Sequence, residues 1–462
     1  MPPTFHLPDS SLSTSLPSFR FLELDTIVAA TGIQRSGLFR RGYCRHTIPV
    51  WHTSSLRPTI LRLSGKGYKG RTLAAPSRSK SVTMPSGAGK RASSSSAAAG
   101  SAKKPPPPVP RPSASIILLS PTNQVLLLHR VKTSSAFPSA HVFPGGNLSE
   151  FHDGRVPPPE DIKRHEDSLA YRLGAIRETF EESGILLARQ GSREGPMLNL
   201  AMAERDKVRK AVYENETSFG KWLESVGGVP DTENLLPFTR WVTPLQPPKR
   251  FTTQMYVYML PLSTSTSDDA VVSSAAEDEA HIPTPDGGAE VTTAHFDDVA
   301  TWLERQRKGD IILFPPQCFL LQMMAPFLTG PPPPSSNCNS NFNSSSTTEY
   351  YRQQRQKLLT FLTTVPTATT TKGLSHPTSQ IPWSHKVISP VTLGMRTFGS
   401  DKRAILGLDK PGLELKDTRR GGDYERVVLV AFGKGGPSDV EVRLRAEVLA
   451  EEKEAQAKKA NL

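Results

Sequence analysis

Gly174-Ala175-Ile176-Arg177-Glu178-Thr179-Phe180-Glu181-Glu182-Ser183-Gly184-Ile185 is the stretch on which the reading of this 462-residue chain turns. At about 100° per residue, Leu169, Leu173, Ile176 and Phe180 stack into one apolar stripe. Glu178, Glu181 and Glu182 then fall together on the other side. Three carboxylates within one and a half turns repel one another and cost helix stability. Such a face is either solvated or neutralised by a cation. Oxygen-only ligands on a rigid face suit a hard ion, Mg2+ or Mn2+. Arg177, beside them, is placed to hold one carboxylate by a bidentate pair.

Upstream, Val142-Phe143-Pro144-Gly145-Gly146 follows a strand-like run, and the two glycines let backbone approach a ligand closely. Phe-Pro-Gly-Gly followed by a helix with Arg-Glu-x-x-Glu-Glu-x-Gly resembles the Nudix box. The resemblance implies an α/β (α+β) fold, the Nudix α/β/α sandwich with a mixed central sheet. It implies hydrolysis of a nucleoside diphosphate linked to another moiety, with divalent metal held by the box glutamates. Carried over, Glu178 and Glu182 are metal ligands. Glu181 is a ligand or water-orienting group, Arg177 an orienting cation, and Gly145 a carbonyl ligand next to Gly146. Gly184 closes the motif, where the helix is expected to pass close to the sheet.

The box is lengthened, with thirty residues between Gly146 and Arg177. The acid of its first half has no fixed equivalent: Glu150, Asp153 and Glu160 all qualify, and Glu150 is favoured. The lengthening resembles the motif-19 branch, peroxisomal and mitochondrial coenzyme A diphosphatases. Trp241-Val242-Thr243-Pro244, Arg250-Phe251-Thr252-Thr253 and Ile311-Ile312-Leu313-Phe314-Pro315-Pro316-Gln317 match it further, with a fainter echo at Ile381–Pro390. The branch more often has Asp where Thr252 stands. Coenzyme A or acyl-CoA is the leading substrate, with ADP-ribose, NADH, a dinucleotide or a nucleotide sugar as alternatives. Coenzyme A-cleaving relatives carry an Arg and a Gly ahead of Phe-Pro-Gly-Gly; this chain keeps the spacing from Arg130 to Phe143 but has Ser135 and Ser139 there. A Nudix-fold module that binds a nucleotide metabolite without turnover is the non-catalytic alternative.

For the proton-accepting base, Glu181 and the loop residue Glu290 are candidates. Arg130 and Arg250 are candidate substrate-binding cations, Arg250 alternatively pairing with a sheet-edge acid. Lys249, His281 and His295 are read as surface or core positions.

The net charge of +12 does not mark a nucleic-acid binder. The first 112 residues hold seventeen Lys/Arg against three Asp/Glu, so the other 350 carry −2 by difference. Nucleic-acid binding wants basic residues on the folded domain, and the expected partner is a nucleotide-derived small molecule. Residues 1–84, Arg- and Ser-rich, fit a mitochondrial transit segment or a disordered tail. Ala460-Asn461-Leu462 weakly resembles the peroxisomal C-terminal address, and a start at Met84 would keep only the second signal. The apolar stretch Ile311–Leu328 is interrupted by Pro315, Pro316 and Pro326, so no transmembrane segment is expected. Cys44, Cys318 and Cys338 show no metal or disulfide spacing. Oligomeric state is left open.

The expected organisation is a basic disordered leader over 1–112 and a Nudix domain over 113–330 with a mobile insertion at 263–289. A low-complexity linker over 331–380 and a small annex with a terminal helix over 381–462 follow. Strands are expected at Ala114–Leu119, Gln124–His129, Gln254–Leu260, and as a hairpin at Val427–Phe432 with Val440–Leu444. Helices are expected at Asp167–Gln190, Leu198–Val226, Thr293–Gln306 and Gln317–Leu328.

Overall fold

The structure, a computed structural model, describes residues 107–134, 138–262, 281–288, 290–333 and 344–460. The expectations for the leader up to residue 106 and for the insertion over 263–280 lie outside the described residues. The strands are β1 (Arg111–Leu119), β2 (Val125–Arg130), β3 (His141–Val142), β4 (Gly145–Asn147), β5 (Ala188–Gln190), β6 (Gly228–Pro230), β7 (Leu236–Val242), β8 (Phe251–Met259), β9 (Val291–Asp297), β10 (Val387–Ile388), β11 (Val391–Met395), β12 (Ala404–Leu408), β13 (Asp423–Gly433) and β14 (Gly436–Leu444). The helices are α1 (Glu150–Asp153), α2 (Leu169–Ser183), α3 (Met202–Tyr213), α4 (Phe219–Ser225), α5 (Val299–Lys308), α6 (Pro315–Met324), α7 (Ser344–Thr363), α8 (Thr371–Ser375) and α9 (Arg445–Ala460).

β1 is the centre of a mixed sheet. It runs parallel to β8 from Arg111↔Phe251 to Leu119↔Met259, while its other edge is shared by β2 at Leu119 and by β4 at Ser113–Ser115. Beyond these lie β7 and β10 on one side, β3 and β9 on the other. A strand covered on both faces reads as a continuous apolar run, and successive side chains alternate between faces. Ile116 and Leu118 accordingly join Tyr171, Ile176 and Phe180 of α2 in one core. Ile117 and Leu119 join Trp302 of α5 and Phe319 of α6 in the other. The α/β/α layering around a mixed sheet is thus present, and the Pro121-Thr122-Asn123 turn joins β1 to β2 as expected, with Asn123 at φ 62°.

Several expectations need correction. Leu169 is exposed, and the buried stripe of α2 is Tyr171, Ala175, Ile176 and Phe180. The helix ends at Ser183, because Gly184 adopts the left-handed conformation (φ 75°). A Cβ there would lie 2.8 Å from Thr284 Oγ1 and 3.1 Å from Arg209 Nη1, so the close approach is to these groups rather than to the sheet. Thr293–Asp297 is strand, not helix: it pairs antiparallel with β2, and α5 begins only after Asp298. Leu198–Val226 breaks into α3 and α4.

The stretch 331–380 contains the twenty-residue helix α7. Its Arg355 donates to Asn123 Oδ1 (2.7 Å), Leu260 O (2.7 Å) and Ser120 O (2.9 Å), tying it to the β1–β2 turn. The final strands form a second sheet, β11-β12-β13-β14. Leu406, Val428 and Val430 of that sheet enter the same core as Phe319 and Trp302. Its other face, Ile405, Val427 and Leu429, packs on Val448 of α9. Trp383 sits between, 6.0 Å from the Phe319 ring and 5.4 Å from Phe361. Among the described residues no helix is long and apolar enough to cross a membrane.

Candidate active site

The site forms where β4 passes over the second half of α2. Gly145 has φ 153°, and a Cβ on it would lie 2.3 Å from Ala114 O, so only glycine lets β4 pair with β1 there. A Cβ on Gly146 would lie 2.6 Å from the Glu178 carboxylate carbon. The diglycine therefore makes the room that Glu178 fills. The Gly145 amide donates to Glu182 Oε2 at 2.8 Å.

Arg177 organises the acids from below. Its Nε and Nη2 donate to Asp153 Oδ1 and Oδ2 (2.9 and 2.8 Å), its Nη2 also to Asn147 O (3.0 Å). Its Nη1 meets Glu178 Oε1 and Glu181 Oε1, both at 2.9 Å. Burial works against this charge, yet Glu178, Asp153 and Glu181 together hold the guanidinium well above its ordinary pKa. Of the three first-half candidates, Asp153, fully buried, is the one paired with Arg177, while the favoured Glu150, like Glu160, is exposed. Arg209, not singled out by sequence, donates from Nη2 to Glu181 O (2.9 Å) and from Nη1 to Thr284 Oγ1 (2.9 Å), fixing the end of α2.

On the open side, Arg130 at the end of β2 spans Glu182 Oε1 (3.2 Å) and Glu290 Oε2 (2.7 Å). The loop acid and the box acid are thereby brought to one guanidinium, although they lie more than a hundred residues apart in sequence. Arg250 is elsewhere. It is buried, paired with both oxygens of Glu414 (2.6 and 3.1 Å), and donates to Thr243, Pro244 and Pro108 carbonyls. That network joins the Trp-Val-Thr-Pro and Arg-Phe-Thr-Thr signatures into one structural corner, so Arg250 takes the sheet-edge alternative and does not face the acids. Lys249 is exposed. His295 lies on β9, with its ring 4.7 Å from that of Trp302.

Five carboxylates (Asp153, Glu178, Glu181, Glu182 and Glu290) meet two guanidiniums here. Burial pushes the Glu178 carboxyl up to about 7, with Arg177 opposing and Glu181 and Asp153 adding to the rise. Burial also pushes Glu182 well above the carboxylate range, its neighbour Glu178 adding and Arg130 opposing. Arg177 and Arg130 offset the five carboxylates only in part. The all-oxygen donor set and its surplus negative charge fit a hard divalent ion. With Arg177 and Arg130 holding the side chains, no three of the described acidic, imidazole or thiol groups stand at ligating geometry.

At the other end of α2, Thr252 stands where the motif-19 resemblance expects Asp. Its Oγ1 meets His165 Nδ1 (3.0 Å) and Arg240 Nη1 (3.3 Å), and Arg240 Nη2 is buried with no hydrogen-bond partner. Arg240 lies over the Tyr171 ring at 4.3 Å. Ser139, where the resemblance expects Gly, has φ 57°, the conformation that favours glycine.

Residues 159–324 match the sequence model of the NUDT19 Nudix domain, just downstream of the diglycine. Over 164 residues the chain is 34% identical to the Gallus gallus acyl-coenzyme A diphosphatase NUDT19, covering 26% of this chain and 43% of that protein. Over 154 residues it is 32% identical to the putative nudix hydrolase 7 of Caenorhabditis elegans, covering 32% and 44%. The chain thus spans less than half the length of these two relatives. A Nudix hydrolase structure from Alicyclobacillus acidocaldarius is similar at 24% identity and a TM-score of 0.35, over 46% of this chain and 90% of that one.

Proposed function

We propose that the chain, whose residues 159–324 match the NUDT19 Nudix domain model, hydrolyses the diphosphate of a nucleoside diphosphate derivative with Mg2+ or Mn2+. The substrate we propose is coenzyme A or an acyl-CoA, giving 3′,5′-ADP and (acyl-)phosphopantetheine. The observation that carries the reading is the Glu178–Glu182 pair under the diglycine strand, Glu178 filling the room left at Gly146 and Glu182 accepting the Gly145 amide. Nudix hydrolases in general use divalent ions. Glu178 and Glu182 would hold the ion, with Glu181 and the Gly145 carbonyl at its edge.

Bound there, the ion would offset the diphosphate charge and acidify water. The chain's own residues supply the rest. Arg177, fixed by Asp153, keeps Glu178 and Glu181 aimed at the cleft. Arg130 is a substrate-phosphate donor that releases Glu290 or Glu182 as the diphosphate arrives. Glu290, more exposed than the buried acids, is then free to take the proton from the attacking water. Coenzyme A is favoured over other nucleotides by the relatives named as acyl-coenzyme A diphosphatases.

The test is the full chain with Mg2+ or Mn2+ and a panel of coenzyme A, acetyl-CoA, ADP-ribose, NADH and UDP-glucose, read by mass spectrometry. Release of 3′,5′-ADP from coenzyme A, abolished in Glu182→Gln, is the expected result. Cleavage of ADP-ribose or NADH alone would move the substrate. Binding without any product would point to the non-catalytic module instead.

A further inference from the structure

Arg130 and His129 are neighbours in sequence but face opposite sides of the sheet. Arg130 reaches the box carboxylates; His129 turns toward the α5 side. There, strand pairing collects side chains that are scattered in the sequence. The register His129↔His141 joins β2 to β3, and Leu127↔His295 joins β2 to β9. The His129 and His141 rings stack at 4.7 Å, 19° from parallel. Trp302 of α5 lies 5.8 Å from His141 and 4.7 Å from His295.

These three imidazoles border a cavity of about 520 Å³, with Arg305, Ile311 and Ile312 on its wall. Stacked rings cover one another's faces, so their polar contacts can only be made at their edges. His141 is 7% exposed and its Nδ1 has no hydrogen-bond partner. Arg305 lies over the Trp302 ring at 5.0 Å, and among the described residues no carboxylate pairs with it. The one acid on the lining is Asp310, which is exposed. Burial, and then His129, Arg305 and His295, push the His141 imidazole down to about 3, so in the empty cavity that ring is neutral.

The Nδ1 edge of His141 is closed off, so the call for an acceptor comes from the uncommitted Arg305 guanidinium and the imidazole edges beside it. With the Arg305 guanidinium on the wall and the lining acid Asp310 exposed, the charge of the cavity favours an anion over a cation. A planar carboxylate satisfies one guanidinium fork; donors converging from three strands and a helix suit a tetrahedral group with more acceptor oxygens. The volume is well beyond a phosphate ion, and the isoleucines offer an apolar wall to whatever the phosphate carries.

We propose that this cavity binds a phosphoryl group carried by a small organic molecule, with Arg305, His129, His141 and His295 as its donors. The site is separate from the acidic cluster and does not depend on the hydrolase reading. The imidazole edges meet the phosphoryl oxygens, Arg305 supplies the fixed charge, and the organic part lies along Ile311 and Ile312.

The test titrates the full-length protein with inorganic phosphate and with n-butyl phosphate, following imidazole resonances by NMR and affinity by calorimetry. Saturable binding of both, tighter for the ester, with shifts at His129, His141 and His295, is expected. Arg305→Met, a half-buried surface change, should weaken binding about tenfold or more, while Glu182→Gln leaves it unchanged. The proposal is overturned if neither probe binds saturably, if the ester binds no better than the free ion, or if Arg305→Met has no effect. Loss of binding in Glu182→Gln would likewise end it, since the phosphate would then sit among the box carboxylates.

Discussion

Asp153 and Arg177 face each other as a closed pair, Nε to Oδ1 at 2.9 Å and Nη2 to Oδ2 at 2.8 Å, both side chains almost wholly buried. Together with the bond to Asn147 O, this contact sets where Arg177 meets Glu178 and Glu181. Removing one partner of a buried pair leaves an uncompensated charge and costs about 3–5 kcal/mol. Asp153→Ala should therefore lose stability of that order in urea unfolding and lose turnover with it. Glu150→Ala, at an exposed position, should stay within about 0.5 kcal/mol. Equal effects of the two would show that Asp153 does not organise the box.

Adding Mn2+ to the metal-free protein should raise its melting temperature, since a ligand that binds only the folded state stabilises it, by about 2.7 kcal/mol at a hundredfold excess over Kd. Glu178→Gln and Glu182→Gln should each blunt that rise, while Arg250→Lys, away from the acids, should keep it. A rise that survives both glutamine variants would place the ion elsewhere.

Thr252→Asp would set a carboxylate beside the orphaned Arg240 Nη2. Buried hydrogen bonds to a charged group are worth about 1.5–3 kcal/mol, part of which offsets the cost of burying the new charge. A gain of about 1 kcal/mol or more is expected by chemical denaturation; a loss would mean that His165 and Tyr171 leave no space for the acid.

Burial, and secondarily Arg240, depress the His165 imidazole to about 4. The unfolded chain has an ordinary histidine near about 6.5, so below that pH it binds a proton the folded state refuses. Stability is therefore complete above the unfolded value and drains away as the pH falls toward 4. His165→Gln should flatten this part of the acid limb. An unchanged slope between pH 6.5 and 4 would exclude His165 as its source.

Ser139 holds a left-handed backbone that costs an L-residue about 1–2 kcal/mol. Glycine avoids this at an entropic cost of roughly 0.5–1 kcal/mol. Ser139→Gly should raise the unfolding free energy by up to about 1 kcal/mol; a decrease would mean that the Ser139 side chain contributes more than its backbone strains.

Legibility in the sequence followed the range of the interactions. The α2 box and the strand–turn–strand of β1 and β2 were readable because periodicity and turn chemistry are local. The acid that holds Arg177 was not, since Asp153 is chosen by a contact across an insertion and not by spacing. α7 was hidden in a Ser/Thr/Asn-rich stretch. Yet Tyr351, Leu358 and Leu362, all buried, recur at helical intervals and offered a signal. The histidine-lined cavity could not be read at all: His129, His141 and His295 become neighbours only through strand register.

Phe238 of the central sheet rests on Phe361 and Trp383, and Trp241 on Phe319, all supplied by later parts of the polypeptide. During synthesis, the segment bearing the box emerges from the ribosome long before those partners exist. At typical elongation rates the wait is on the order of ten seconds. Throughout it the apolar flank of the central sheet stays uncovered, to be closed only when the carboxy-terminal strands arrive.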